Sequence, residues 1–92
     1  MRVIEPSDLE RLVRKTFPEK PRFCADAELG LTGHARPLVT FVHGGRGPNL
    51  DDQFDAWLDG SARFVAVYAL LNGLCRAGAL VPGNYAVRPR PS

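Results

Sequence analysis

The segment from Ala62 to Ala77 constrains the fold more than any other part of this sequence. It carries Phe64, Val65, Val67, Tyr68, Leu70, Leu71, Leu74 and Cys75, and its only clearly polar interior positions are Asn72 and Arg76. A helix that is apolar almost all round is stable in water only when it is covered on more than one side. The unbroken apolar run Phe64 to Leu71 is far shorter than the roughly 20 residues that span a bilayer. The segment therefore reads as the central helix of a small core. Ser61 is placed to cap its start and Gly78 to close its end. Gly73 costs such a helix about 1 kcal/mol against Ala, which points to the close approach of another backbone there.

The remaining elements follow from shorter patterns. Ser7-Asp8-Leu9-Glu10 has the form of a capping box. Leu9, Leu12, Val13, Thr16 and Phe17 then recur at helical spacing until Pro18 ends the helix. Arg22 to Glu28 alternates loosely and reads as a weak strand, followed by a Gly30 to His34 loop. Pro37 to His43 is the best strand, rich in Val, Thr and Phe, with Val39, Phe41 and His43 on one side and Leu38, Thr40 and Val42 on the other. Asn49 can cap a second helix whose Leu50, Phe54, Trp57 and Leu58 share a face, and Gly60 closes it. Pro82-Gly83 marks a turn before a last strand, Asn84 to Arg88, with Tyr85 and Val87 on one face. Residues 88–92 read as a frayed tail. The expectation is one α+β domain over residues 1–92: a small, largely antiparallel sheet of about three strands with three helices, in the order α-β-β-α-α-β, the third helix central.

Size and composition limit what such a domain can do. A chain of 92 residues buries about 60–65% of its unfolded surface, enough for one core and a surface site. The net charge is +2, too mild to announce nucleic acid. Arginine outnumbers lysine, ten to two, but Ala, Gly, Pro, Leu and Val are also abundant, as in GC-rich, bacterial-type coding sequence. Two cysteines, Cys24 and Cys75, and an N-terminus without an apolar run fit a reducing cytoplasm with free thiols.

Motifs with chemical potential each lack a necessary part. His43-Gly44-Gly45 resembles an oxyanion loop, yet there is no G-x-S-x-G. Gly44 to Gly47 precedes a helix N-terminus that could hold an anion, yet there is no phosphate-loop lysine, and Asp51 and Asp52 stand at the same helix end. Asp51-Asp52-Gln53-Phe54-Asp55 has the D-D-x-x-D spacing of a Mg²⁺ site without the second acidic motif. Cys24, His34, His43 and Cys75 are competent zinc ligands at the wrong spacing, and a Cys24–His nucleophile pair lacks an orienting third group. Ala56 and Gly60 have the offset of a helix-turn-helix, but the following helix is too apolar to read bases. These residues thus give no catalytic, cofactor or metal site.

Charge distribution is the main functional hint. Asp51, Asp55 and Asp59 stand at i, i+4 and i+8 with no cation among them, an arrangement that costs the helix about 0.2–0.5 kcal/mol per pair. Arg11, Arg14 and Lys15, with Lys20 and Arg22, gather near the first helix, and no acidic residue follows Asp59. The sequence therefore points to a non-catalytic protein-interaction module that self-associates as a homodimer or binds another protein. Asp51, Asp55 and Asp59 would meet a basic surface, and Arg11, Arg14 and Lys15 an acidic one, so Asp55→Lys should weaken association. The alternative is a sequence-nonspecific nucleic-acid binder using the Arg11–Arg22 region with Arg88 and Arg90.

Overall fold

A computed structural model describes residues 1–19, 37–62 and 65–88. The chain forms β1 (Arg2–Ile4), α1 (Pro6–Thr16), β2 (Leu38–Val42), α2 (Pro48–Leu58), α3 (Val67–Arg76) and β3 (Gly83–Val87). The expected α+β class, with three helices and a three-stranded sheet, is present. The expected strand at Arg22 to Glu28 and the tail beyond Arg88 lie outside the described residues. The described strands instead include an N-terminal one, and the sheet, expected to be largely antiparallel, is mixed, with one parallel pair. Its order is β1-β3-β2, with β3 parallel to β1 and antiparallel to β2. β3 is central because its Tyr85, Ala86 and Val87 are all buried, as a strand with neighbours on both sides requires.

The third helix is central, as its sequence demands. Val67, Ala69, Leu70, Leu71, Asn72, Gly73 and Leu74 are buried, and α3 packs against both α2 and β2. Leu9 and Val13 of α1, Phe54 and Trp57 of α2, and Val42, Tyr85 and Val87 of the sheet complete one cluster around it. Its C-terminus is a Schellman motif: Gly78, at φ +79°, donates to the Cys75 carbonyl and Ala79 to that of Leu74. Its start lies later than the sequence suggests. Ala66 is the extended N-cap and Val65 is buried in the core ahead of the helix. Ser61 does not cap α3. Its hydroxyl donates to the Ala56 carbonyl and its N–H to the Asp59 carboxylate, so it serves the end of α2.

The other two helix starts also differ from the polar caps expected. Glu5 and Gly47 are the N-caps of α1 and α2, neither with a side-chain cap bond, and prolines stand in the first turn of each. Proline at the first helical position has its φ already set and loses no hydrogen bond there. Pro6 and Pro48 thus begin the helices ahead of Ser7 and Asn49. Gly60, at φ +83°, ends α2 as expected.

The close approach at Gly73 is a ring rather than a backbone. A Cβ built there would lie 2.5 Å from the Phe54 ring, and that ring also meets Phe17 edge-on at 5.5 Å between centroids. Gly73→Ala should therefore lower stability by about 1–3 kcal/mol through overpacking, despite the better helix propensity of Ala. Denaturant unfolding of Gly73→Ala, Phe54→Leu and the double variant would show this as a coupling, with the double variant more stable than additivity allows.

Candidate functional site

The loop from His43 to Gly47 joins β2 to α2, and two side chains of α3 hold it. Asn72 is fully buried. Its Oδ1 accepts from the backbone N–H groups of His43 (3.3 Å) and Gly44 (2.9 Å), and its Nδ2 donates to the Tyr68 carbonyl (2.9 Å). A buried amide is tolerated because these partners replace water. Gly44 adopts φ +71°, and a Cβ there would lie 3.3 Å from Cys75 Sγ, so both backbone conformation and space favour glycine.

One turn on, Arg76 reaches the same loop. It donates to the Gly45 carbonyl (2.8 Å), pairs with Asp51 at 3.0 Å, and lies over the Phe54 ring at 5.7 Å from its centroid. A planar guanidinium suits such a divided role, offering several donors in fixed directions and a face that stacks on rings. Beside it is an open groove of about 390 Å³, lined by Phe17, Arg46, Asp51, Phe54, Asp55 and Arg76 among others. Two guanidiniums and two carboxylates balance there. The Gly44 N–H is already given to Asn72. The loop is thus tied to α3 through His43, Gly44 and Gly45.

The residues singled out from sequence are mostly engaged within the chain. Asp51 meets Arg76 across space, a partner invisible from the spacing within α2. Asp59 accepts from the Ser61 N–H. Asp55 is exposed and lines the groove. On α1, Arg11 pairs with Asp8 at 3.3 Å and Arg14 with Glu10 at 2.7 Å, and Lys15 is exposed. Arg88 pairs with Glu5 at 3.5 Å. Exposed pairs of this kind contribute about 0–1 kcal/mol, but they blunt the field that a charged partner would feel. Cys24, His34, Lys20, Arg22 and Arg90 lie outside the described residues. Among the described residues, no group of three or more His, Cys, Asp or Glu side chains could hold a metal ion, and no helix is long and apolar enough to cross a membrane.

The feature that sequence reasoning missed is the outer face of the sheet. The register aligns Val3 with Ala86 and Ala86 with Val39, and Phe41 with Asn84. Residues in register point to the same side. Val3 (51% exposed), Val39 (60%) and Phe41 (53%) stand open around buried Ala86. None of these residues carries a charge. Phe41 also stacks on His43, with centroids 5.9 Å apart, and His43 Nε2 lies 2.8 Å from the Tyr68 hydroxyl. The alternation of β2 contained this face, but both of its sides are apolar, so the pattern alone did not say which one meets water. The chain matches no known family model, and no curated protein sequence or solved structure is significantly similar to it.

Asn72 is the pin of this region. Asn72→Leu fills the same space but leaves the N–H groups of His43 and Gly44 without their acceptor. It should cost about 1–3 kcal/mol in chemical denaturation, and should speed amide exchange at His43 and Gly44 while leaving that of β3 slow.

Proposed function

We propose that the chain is a non-catalytic protein-interaction module, acting in the cytoplasm, that self-associates through its sheet, where β2 exposes Val39 and Phe41. The observation that carries this reading is the uncharged group Val3, Val39 and Phe41, exposed together around Ala86. Contiguous exposed apolar surface of this kind typically marks a contact site. The apolar α3 needs no second copy to cover it, since its own chain does so. Asp51, Arg11 and Arg14 have partners within the chain. Asp55 and Lys15 remain exposed and form a secondary, electrostatic contact in this reading. The free Cys75 suits a reducing compartment.

Light scattering after size exclusion, at low and high salt, tests it. A dimer should persist at both salts, because apolar burial is not screened. Phe41→Asp should convert it to a folded monomer, while Asp55→Lys should weaken it only slightly. A dimer lost in high salt and on Asp55→Lys would move the interface to the charged faces of α1 and α2. A monomer at both salts, up to about 1 mM protein, would overturn self-association.

A second reading, nonspecific binding of single-stranded nucleic acid, draws on the exposed Phe41 ring stacked against His43, since bases stack on such rings. A labelled oligonucleotide should then bind at low salt and be released as salt rises, with Phe41→Ala weakening it. No anisotropy change at low salt discards this reading.

A further inference from the structure

Among the described residues, one side of the β2 backbone has no strand paired to it. Arg88 N–H donates to the Ile4 carbonyl at 3.0 Å. Backbone groups of successive strand residues point in alternate directions within the sheet. Those of Asn84 and Ala86 therefore face β1, and those of Gly83, Tyr85 and Val87 face β2. The β2 partners of the latter three are Val42, Thr40 and Leu38, so these three residues bond to β3. The N–H and C=O groups of Val39 and Phe41 point the other way, to the sheet edge. Among the described residues, β2 pairs only with β3.

We infer that this edge is where two copies of the chain join: β2 pairs antiparallel with its twin about a two-fold axis at Thr40, fusing two three-stranded sheets into one of six strands. The inference rests on the self-association reading and names its geometry. Two features fix the register. Outward-facing residues must oppose outward-facing residues, which leaves axes at Val39, Thr40 or Phe41. An axis at Val39 sets the Phe41 carbonyl against Pro37, which has no N–H. An axis at Phe41 sets the Val39 carbonyl against the His43 N–H, already given to Asn72. Only the axis at Thr40 satisfies both groups of both residues, with Val39 of one copy opposite Phe41 of the other and Thr40 opposite Thr40.

Electrostatics sets no barrier to a second copy at this edge. Near a two-fold axis every charge meets its own kind, and like charges directly opposite across strands are destabilising. The segment Leu38–Val42 carries no charge, so it is complementary to itself. The same pairing sets exposed Val39 beside exposed Phe41 of the other copy on the outer face, a favoured aromatic and β-branched pair. A junction this small belongs to the weak, reversible class.

The pairing places the two Thr40 residues as a non-hydrogen-bonded pair, with Cα atoms about 4.5 Å apart, within disulfide reach. Thr40→Cys in the full chain, mildly oxidised and mapped by peptide mass spectrometry, should give an intermolecular 40–40 disulfide. Val39→Pro removes an edge N–H that β3 does not use. It should weaken dimerisation about tenfold or more with the fold retained by circular dichroism. Amide exchange at Val39 and Phe41 should slow as protein concentration rises. A dimer by light scattering that gives no 40–40 disulfide and ignores Val39→Pro overturns edge pairing while self-association stands. A monomer up to about 1 mM, the weakest end of specific affinity, overturns both. Slow exchange at Val39 and Phe41 in that monomer would assign the edge to another part of the same chain.

Discussion

The structure depends on what happens around Asn72. A helix buried as deeply as α3 can carry a polar side chain only if every polar atom finds a partner, and Asn72 finds its partners in the first residues after β2. That choice ties the end of a sheet strand to the middle of the central helix. Arg76, one turn later, extends the tie to Gly45 and to Asp51 at the start of α2. β2, the loop, α2 and α3 are thereby fixed as one unit. The removal of Cβ at Gly73 lets the Phe54 ring close over it. The two polar residues that interrupt an otherwise apolar helix are thus the ones that specify how its neighbours are arranged.

The same economy bears on function. The loop between β2 and α2 has the outward form of a ligand loop, with three glycines ahead of a helix. Yet the His43 and Gly44 N–H groups are given to Asn72, and the Gly45 carbonyl to Arg76. The surface ion pairs act similarly on the charged helices: Arg11, Arg14 and Arg88 each have a carboxylate nearby. Among the described residues, the sheet face around Val3, Val39 and Phe41 leaves apolar surface open. Burial of that surface is worth about 25 cal/mol per Å², so it is the strongest attraction the described surface offers.

Much of this was legible in the sequence. The all-round apolar character of residues 67–76 placed α3 at the centre, and Gly60 and Gly78 ended their helices because the left-handed conformation there favours glycine. The starts of α1 and α2 were harder to read, since Pro6 and Pro48 initiate a turn without needing the polar side chains that follow them. β1 left almost no signal. Three residues have no readable alternation, and their partner lies at the far end of the chain. The cation facing Asp51 was hidden for the same reason, because periodicity within α2 cannot report a residue of α3. The open face of β2 was ambiguous because Leu38, Thr40 and Val42 are about as apolar as Val39, Phe41 and His43. Which set is buried is decided by where α3 lies, a tertiary fact.

The two edges of the sheet are not equivalent, and the difference bears on what kind of assembly can form. β1 is three residues long, and only Val3 among them turns its backbone groups outward. Arg2, whose guanidinium lies 3.5 Å from the Tyr85 hydroxyl, and the Glu5–Arg88 pair put charge on both sides of it. Short length and flanking charge are the usual protections against strand addition. β2 is five residues long and uncharged, and among the described residues its protection is limited to Pro37 at its start. A sheet with two open edges would add copies without end, whereas a sheet with one open edge closes after a single two-fold pairing. Under the proposed pairing, the asymmetry between β1 and β2 would close the assembly at a dimer rather than extend it as a fibre. It gives a physical reason for an exposed Phe41 to be tolerated on a small domain that has acidic and basic side chains to spare.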